Sequence, residues 1–321
     1  MMDVLSDIIA TIRFSSSVFL DARFTAPWCI EAQITPDDCK PYGAVPTAII
    51  AYHYIVSGEL YLGSGAELPH KLQSGDIVLL PQNGRHILAS KKGLRPASID
   101  HLINTDNASG PALLHFGGGG EPCHIICGFL GCDIPDNPLI NSLPSLLQLN
   151  VGQADSDNWM ASTFQHAAQE FSRGGVGSAT ILGKLAELLF VEALRRYLLT
   201  LPASNTGWLA GLRDPKVGKA LAQLHRQPAH QWTTDELAKS ANLSRSAFAE
   251  RFTQLVGLPP MRYLSQWRLQ LAAVRLRESP LSIVNIAHEV GYESEASFSR
   301  AFRNTFHSTP GQWRRSQPDN D

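Results

Sequence analysis

A short pattern of capping and aromatic residues occurs twice in the C-terminal third of the chain and constrains its fold more than any other feature. Each copy has a serine followed by phenylalanines four and eight residues later. The copies are Ser244, Phe248 and Phe252 and, 50 residues further on, Ser294, Phe298 and Phe302. Phenylalanines at this spacing lie on one face of a helix, and a serine before the helix can cap its first turn. The pattern therefore predicts two amphipathic helices that begin at the serines.

A second short helix and a tight turn precede each copy. Ala238 lies four residues before Asn242, and Ala287 lies four residues before Gly291. A small alanine lets two helices cross closely, and Gly or Asn can adopt the left-handed conformation that a tight turn needs. Two helices joined in this way form a helix-turn-helix, whose second helix enters the major groove of DNA. The sequence therefore predicts two such motifs.

The segment between the two copies predicts a single long helix. It begins at Pro259–Pro260, which suits a helix N-terminus, and carries Tyr263, Leu264, Trp267 and Leu271 at helical spacing. About twenty helical residues span about 30 Å, close to the roughly 34 Å between successive major-groove faces. Two reading helices on this connector could contact adjacent turns of one DNA face.

Residues 214–315 resemble the DNA-binding domain of the AraC/XylS family of bacterial transcription regulators. The matching residues are Ile286–Ala287, Gly291–Tyr292, Ser294, Phe298–Ser299–Arg300–Ala301–Phe302–Arg303, Phe306, Thr309–Pro310 and Trp313–Arg314. The resemblance implies a transcription regulator, expected to be an activator, that binds double-stranded operator DNA and contacts RNA polymerase. The positions it assigns to DNA contact are Ser246, Ala249, Glu250 and Arg251 in the first reading helix and Glu295, Ala296, Ser299, Arg300 and Arg303 in the second.

Individual positions differ in what they indicate. Arg300 is the strongest candidate for base reading, because Arg binds guanine O6 and N7 with two hydrogen bonds. Glu250 either accepts from cytosine or points into solvent. Arg251 and Arg303 are interpreted as phosphate contacts or as ion pairs on the helix surface. His307 stands where the family usually has Gly, so it either bears left-handed strain or reshapes the turn.

Length and charge agree with two domains of different function. A chain of 321 residues is long enough for two domains. Residues 211–321 contain 15 Lys and Arg against 10 Asp and Glu, whereas the rest contains 12 against 19. The basic part suits phosphate contact, and the acidic part does not. The sequence has no targeting segment and no apolar run of membrane-spanning length, so we expect a cytoplasmic protein that does not bind membranes.

The N-terminal half predicts a β structure. Residues 48–88 consist of short apolar runs separated by turn signals at Ser57–Gly58 and Ser74–Gly75, which is typical of a jelly roll. The runs around Gly58 and Gly75 also resemble the cupin-like sensor domain that precedes many AraC-type DNA-binding domains. The expected fold class is therefore α+β. An N-terminal cupin-like β jelly roll with helices would occupy 1–200, a linker 201–213, and an all-α domain with two helix-turn-helix motifs 214–315.

Histidines raise the question of a metal. Metal-binding cupins have an HxH pair and a Glu on one strand, whereas here His53 is followed by Tyr54 and Ile55. His86 could face the interior, and His115 or His124 could join it. We favour the interpretation that they are structural histidines, and expect no metal, no cofactor and no enzymatic activity. The alternative is a metal-dependent cupin enzyme fused to a DNA-binding domain.

Cysteines suggest a possible redox signal. Cys123 and Cys127 share one face of a predicted strand next to His124, and Cys29 or Cys39 could approach from another strand. Either these thiols pack as small apolar groups, or one is an activated oxidant sensor. LLPQNGRHIL and ICG are similar to a reactive-chlorine-sensing member of the family, although His124 occupies the place of its first cysteine. We expect a small organic effector in the barrel, sensed near His53, His86 and these residues, with oxidant sensing as the alternative.

Two further segments carry expectations. Residues 92–122, which include the glycine run Gly117–Gly120, are interpreted as a mobile insertion. Residues 178–200 predict a long helix that either forms a homodimer interface or packs on its own sheet.

Overall fold

The computed structural model describes residues 4–9, 12, 14–40, 46–64, 67–97, 112–132, 137–150, 159–173, 176–201 and 207–315. Residues 98–111, the middle of the predicted insertion, lie outside these ranges. The chain divides into two compact units. The sheet unit comprises Phe14–Cys132 and Leu143–Tyr197, and the helical unit comprises Met1–Arg13, Asp133–Ser142 and Leu198–Asp321.

The described residues form ten strands and thirteen helices. The strands are β1 (Phe14–Thr25), β2 (Cys29–Ala32), β3 (Ala48–Ser57), β4 (Glu59–Ser64), β5 (Glu67–Gln73), β6 (Asp76–Leu80), β7 (His86–Ala89), β8 (Ala112–Gly117), β9 (Pro122–Cys132) and β10 (Leu147–Asn150). The helices are α1 (Val4–Ile9), α2 (Pro36–Cys39), α3 (Pro138–Asn141), α4 (Trp159–Ser172), α5 (Ser178–Thr200), α6 (Trp208–Arg213), α7 (Val217–Arg226), α8 (Thr234–Ser240), α9 (Arg245–Val256), α10 (Pro260–Glu278), α11 (Ile283–Glu289), α12 (Glu295–Phe306) and α13 (Pro310–Arg315). This arrangement confirms the predicted α+β class.

Two sheets face each other in the sheet unit. The first has the order β10-β6-β3-β9-β1-β8 and the second the order β2-β7-β4-β5. Only β1 and β8 pair in parallel among the described strands. One apolar core draws side chains from both sheets, including Phe24 of β1, which stacks on Trp28 at a centroid distance of 4.1 Å. The predicted jelly roll, with its turns at Gly58 and Gly75, is confirmed.

The interpretation of 92–122 as an irregular insertion is wrong at its C-terminal end. Residues Ala112–Gly117 form β8 and pair with β1 in register from Leu20↔Ala112 to Thr25↔Gly117. Alternation is visible in the structure, because Leu114 is fully buried while its two neighbours are exposed. The Gly run that follows concealed this strand from pattern reading, since it suggested a loop.

Helix α5 packs on its own sheet. Its Phe190 contacts Phe14 of β1 edge to face at 5.3 Å, and Ser16 donates a hydrogen bond of 2.7 Å to Glu187. The opposite side of the helix leaves Ile181 and Leu188 about half exposed. Of the two interpretations of this helix, packing against the sheet is therefore observed, and the exposed side remains available for a dimer.

The segment 208–213, predicted as part of a linker, is instead a buried helix. Trp208, Leu209 and Leu212 of α6 are each less than a tenth exposed. Trp208 donates a hydrogen bond of 2.9 Å to the hydroxyl of Tyr263, which also lies 2.7 Å from Nε2 of His225. The Pro, Gly, Ser and Asn residues in and before this segment suggested a linker, but three large apolar side chains provide enough burial for a helix.

Both helix-turn-helix motifs form as the repeat predicts. Ser244 and Ser294 cap α9 and α12 by accepting hydrogen bonds from the amides of Ala247 and Ser297. The turn residues adopt left-handed conformations, with φ of +54° at Asn242 and +92° at Gly291. The four repeat phenylalanines are fully buried in the cores of the two motifs: Phe248, Phe252, Phe298 and Phe302.

The two reading helices differ at their C-terminal ends. Gly257 ends α9 with φ of +84°, and His307 ends α12 with φ of +54° and ψ of +19°. Of the two alternatives for His307, the structure therefore shows that it accepts the left-handed conformation. For a residue with a Cβ this conformation costs about 1–2 kcal/mol.

We expect opposite effects from exchanging these two residues. His307→Gly relieves left-handed strain but also frees the unfolded chain, so the unfolding free energy should rise by up to about 1 kcal/mol. Gly257→Ala should lower it by about 1–2 kcal/mol, although a Cβ there would meet no atom within 4 Å. Urea unfolding followed by circular dichroism measures both. Equal destabilisation by the two substitutions would show that His307 is held by contacts rather than strained.

Candidate functional site

The predicted DNA-reading positions lie on the outer sides of α9 and α12. The repeat phenylalanines occupy the buried side of each helix. Seven of the nine predicted positions are exposed and two are half-buried: the exposed residues are Ser246, Glu250, Arg251, Glu295, Ala296, Arg300 and Arg303, and the half-buried residues are Ala249 and Ser299. The positions that the resemblance assigns to DNA contact therefore lie on the side of each helix that faces away from its core.

Arg300 is oriented along the exposed side of α12. Its Nε donates a hydrogen bond of 3.3 Å to the carbonyl of Ala296, one turn earlier. This contact directs the guanidinium toward the N-terminal end of the helix, which is the end that contacts base edges in a helix-turn-helix.

Arg251 is held in an ion pair. Its Nε donates to the Asp214 carboxylate at 3.0 Å, and one of its NH2 groups makes a second contact. Asp214 also accepts from the amides of Lys216 and Val217 at the start of α7. Burial alone would raise the pKa of the Asp214 carboxyl, but Arg251 and these amides hold that pKa below its usual value. Arg251 therefore ties α9 to α7, the ion-pair alternative among its two interpretations.

In the sheet unit, three buried side chains form a hydrogen-bonded chain between the two sheets. Cys127 Sγ lies 3.0 Å from Nδ1 of His53, and Nε2 of His53 lies 2.7 Å from Nε2 of His86. Nδ1 of His86 lies 2.8 Å from the carbonyl oxygen of Gly84. His53 and Cys127 are opposite each other on β3 and β9, while His86 lies on β7 of the other sheet.

The carbonyl of Gly84 fixes the proton positions in this chain. Since a carbonyl only accepts, Nδ1 of His86 must carry a proton, and the Nε2 of a neutral His86 must accept. His53 then donates through Nε2 and accepts at Nδ1 from the Cys127 thiol. Burial lowers the pKa of His53, and the nearby charge of His86 lowers it further. Burial also lowers the pKa of His86 and raises the pKa of the Cys127 thiol. The chain is therefore neutral at physiological pH.

This arrangement does not fit the metal site of cupin enzymes. Two imidazole nitrogens that both bind zinc at about 2.0–2.1 Å lie about 3.3 Å apart in tetrahedral geometry, whereas the facing nitrogens here are 2.7 Å apart. Within the described ranges, no three His, Cys, Asp or Glu side chains are grouped to hold a metal ion. His124, considered as a further ligand, instead lies 2.8 Å from Asp21.

The cysteines are buried and lie in separate places. Cys29 and Cys39 belong to two clusters other than the core that contains Cys123 and Cys127. Cys123 and Cys127 share a face of β9, as predicted, but four residues of strand span about 13 Å, well beyond the Cα separation that a disulfide allows. Burial raises the pKa of the Cys123 thiol to about 12. The sequence suggested proximity among the cysteines, but strand geometry separates them.

Described residues of the sheet unit line two cavities of different size. The larger, of about 770 Å³, lies where β1, β3, β8 and β9 reach the same end of their sheet and is also lined by Gln169 and Arg173, from the C-terminal end of α4. The smaller, of about 280 Å³, is lined by residues that include Gly84, His86 and His70. His86 therefore links the buried chain to the smaller cavity, while Cys123 and His124 line the larger one. The sequence named His115 as a possible metal ligand and His124 as a possible ligand or sensing residue, but it did not predict the cleft that both of them line.

Comparisons with known proteins agree with both halves of the fold. A Cupin family model matches residues 3–199, more than half of the chain, and a helix-turn-helix domain model matches residues 237–316. An AraC-like transcription regulator of Streptomyces lividans is 34% identical over 317 residues, which cover 98% of each chain.

The chain belongs to the AraC-like transcription regulators. Two further relatives are similar over most of their length. The regulator AlkR of Acinetobacter baylyi is 30% identical over 320 residues, covering 98% of this chain and 99% of AlkR. RclR of Escherichia coli K12, named as an RCS-specific transcriptional activator, is 30% identical over 275 residues, covering 85% and 87%.

The regulator combines a cupin domain with an AraC-type helix-turn-helix region, and its function is to bind DNA and regulate transcription. No helix in the ranges described here is both long and apolar enough to cross a membrane.

The neutral histidine chain predicts acid sensitivity of the sheet unit. In the unfolded regulator His53 and His86 bind protons near their ordinary pKa of about 6.5, whereas in the folded state they resist protonation. The unfolding free energy should therefore be constant above that pH and fall below it, by up to about 1.4 kcal/mol per pH unit for each histidine. Hydrogen exchange of β3 and β7 amides, corrected for intrinsic rates, measures this between pH 7.5 and 5. Protection that does not change with pH in the native chain would contradict the prediction.

Proposed function

We propose that α9 and α12 of this regulator enter two successive major grooves of its operator and that a signal sensed in the sheet unit controls this binding. Seven of the nine candidate positions are exposed, on the side of each helix opposite the buried phenylalanines, and this supports the proposal. Helix α10, with 19 residues, spans about 28 Å between the motifs. We also propose that the regulator activates transcription through RNA polymerase and has no enzymatic activity of its own.

Arg300 is proposed to read a guanine, and the other arginine of the same helix provides a matched comparison. Arg300→Ala should weaken operator binding by about 1–3 kcal/mol and relax the preference at one base pair. Arg303→Ala should weaken binding evenly across sequences and reduce the salt dependence by about one phosphate contact. The measurement is affinity for an operator selected from random DNA and for its single-base variants, at several salt concentrations. Unchanged sequence preference in Arg300→Ala would remove the assignment.

A small organic effector is the signal that the sheet unit supports best. A volume of about 770 Å³ lies within the range of ordinary small-molecule sites, and polar and apolar side chains line it together.

The exposed Ile181 and Leu188 of α5 lie on the side of that helix that does not pack on the sheet. We propose that this side joins two copies of the regulator into a homodimer.

Oxidant sensing is a second candidate. Cys123 lines the larger cavity, His53 lies 3.0 Å from the Cys127 thiol, and the relative RclR is named as RCS-specific. Against it, both thiols have a raised pKa, so the reactive thiolate is scarce at neutral pH.

An oxidant experiment separates the two candidates. Because the thiols are buried and protonated, one equivalent of hypochlorite should leave operator affinity and transcription in vitro unchanged in the native chain and in Cys123→Ser and Cys127→Ser. Cys29→Ser, which removes a buried cysteine from another cluster, is the control. A response to hypochlorite that the Cys123 or Cys127 variant loses and the Cys29 variant keeps would establish an oxidant sensor.

A further inference from the structure

The larger cavity is bordered by a continuous row of polar side chains. In the register of the sheet, Arg23 of β1 lies opposite His115 of β8 on one side and His124 of β9 on the other, and His124 lies opposite Ser57 of β3. Residues directly opposite one another in paired strands point to the same face. One guanidinium, two imidazoles and a hydroxyl therefore stand side by side across four strands.

Helix α4 brings further donors to the same cleft. Gln169 and Arg173, one helical turn apart, contribute an amide and a second guanidinium to its lining. The row on the sheet and the end of this helix thus face one space. Two arginines from separate elements that meet at one cavity are the arrangement by which proteins hold an anion.

Charge at the cleft is unbalanced. None of the described residues that line it is Asp or Glu. Asp21, buried behind the row, lies 2.8 Å from Nε2 of His124 and 3.5 Å from Nε of Arg23. Burial alone would raise the pKa of the Asp21 carboxyl, but His124 and Arg23 hold it below its usual value. Asp21 is thus paired with His124 and Arg23. Arg173 has no carboxylate beside it among the described residues that line the cleft, so the two guanidinium groups leave positive charge that an anion would neutralise.

The remaining walls are apolar and indicate the rest of the ligand. The apolar side chains that line the cleft beside the polar row are those of Phe24, Phe116, Val56, Pro122 and Cys123. A volume of about 770 Å³ is far larger than a lone inorganic anion needs and falls in the range of small-molecule sites. A ligand with one charged end and an apolar body would use both kinds of wall.

We propose that this cleft binds a small organic carboxylate and that the carboxylate is the effector of this regulator. The inference rests on the proposed control of DNA binding by a signal in the sheet unit. The carboxylate lies between Arg23 on the sheet and Arg173 on α4, with its apolar body against Phe24 and Phe116. Bound in this way, it holds the end of α4 against the sheet edge.

The test uses the full chain and two probe pairs that differ only in charge. Isothermal titration calorimetry with phenylacetate and hexanoate should show binding, and phenylacetamide and hexanamide should not bind. Arg23→Gln and Arg173→Gln should each weaken carboxylate binding about ten- to hundredfold, the usual effect of losing a hydrogen bond to a charged group. Inorganic phosphate should not compete at equal concentration.

Arg85→Gln is the matched control, because Arg85 is an exposed arginine of the same unit that lines the smaller cavity. It should bind carboxylates as the native chain does. Equal binding of the amides would overturn the proposal, and so would loss of binding in Arg85→Gln alone. Failure of both carboxylates to bind at about 10 mM would also overturn it, because a dissociation constant of about 1 mM is at the weak limit of specific binding. Phosphate that displaces the carboxylates would assign the cleft to inorganic anions instead.

Operator affinity separates this inference from the proposed function. The native chain, Arg23→Gln and Arg173→Gln should bind operator equally without carboxylate, and carboxylate should change the affinity of the native chain alone. Carboxylate binding with no change in operator affinity would retain the ligand site but reject its role as the effector site. Absence of operator binding by the native chain would refute the proposed function while calorimetry still decides the ligand.

Discussion

The turn between the two helices of each motif is the constraint on which the DNA-reading part of this regulator depends. At Gly291 an added Cβ would lie 2.8 Å from the backbone of Ala229 and from the Arg268 guanidinium, so both the left-handed φ and the close packing demand glycine. Because this turn fixes the crossing of α11 and α12, it also fixes which residues of α12 face outward. Ser294 then sets where that helix begins. A small number of backbone requirements thus orients the whole reading surface.

Much of the helical unit was predictable because its determinants are local. A cap, a left-handed residue and phenylalanines four residues apart are each read within one or two helical turns. Helix α6 was not predicted, because the hydrogen bond that holds Trp208 is accepted by Tyr263, 55 residues away. For Arg251 the sequence left two interpretations, a phosphate contact or an ion pair, because its partner Asp214 is 37 residues distant.

The sheet unit was predictable in kind but not in its sites. Apolar runs and turn signals indicated the strands within residues 48–88. The pairing of Arg23 with His115 and His124 depends instead on a topology that brings β8 and β9 to either side of β1. His53 and His86 were both named from the sequence. Their direct contact across two sheets follows from sheet packing, which no local pattern encodes. The sites of the sheet unit thus depend on which strands pair and in what register, and local sequence patterns do not determine either.

The hydrogen bonds between Cys127, His53, His86 and Gly84 all run in one direction, and they connect Cys127 to the smaller cavity, with which it has no direct contact. The protons all point from Cys127 toward Gly84, because the carbonyl at the far end accepts and cannot donate. The opposite direction would leave Nδ1 of His86 without a proton against an oxygen that also has none, so the direction is fixed. A molecule in the smaller cavity could accept the hydrogen bond of His86 Nδ1 in place of the Gly84 carbonyl. Because His53 lies between His86 and Cys127, this exchange would alter the hydrogen bond of Cys127 on the opposite sheet.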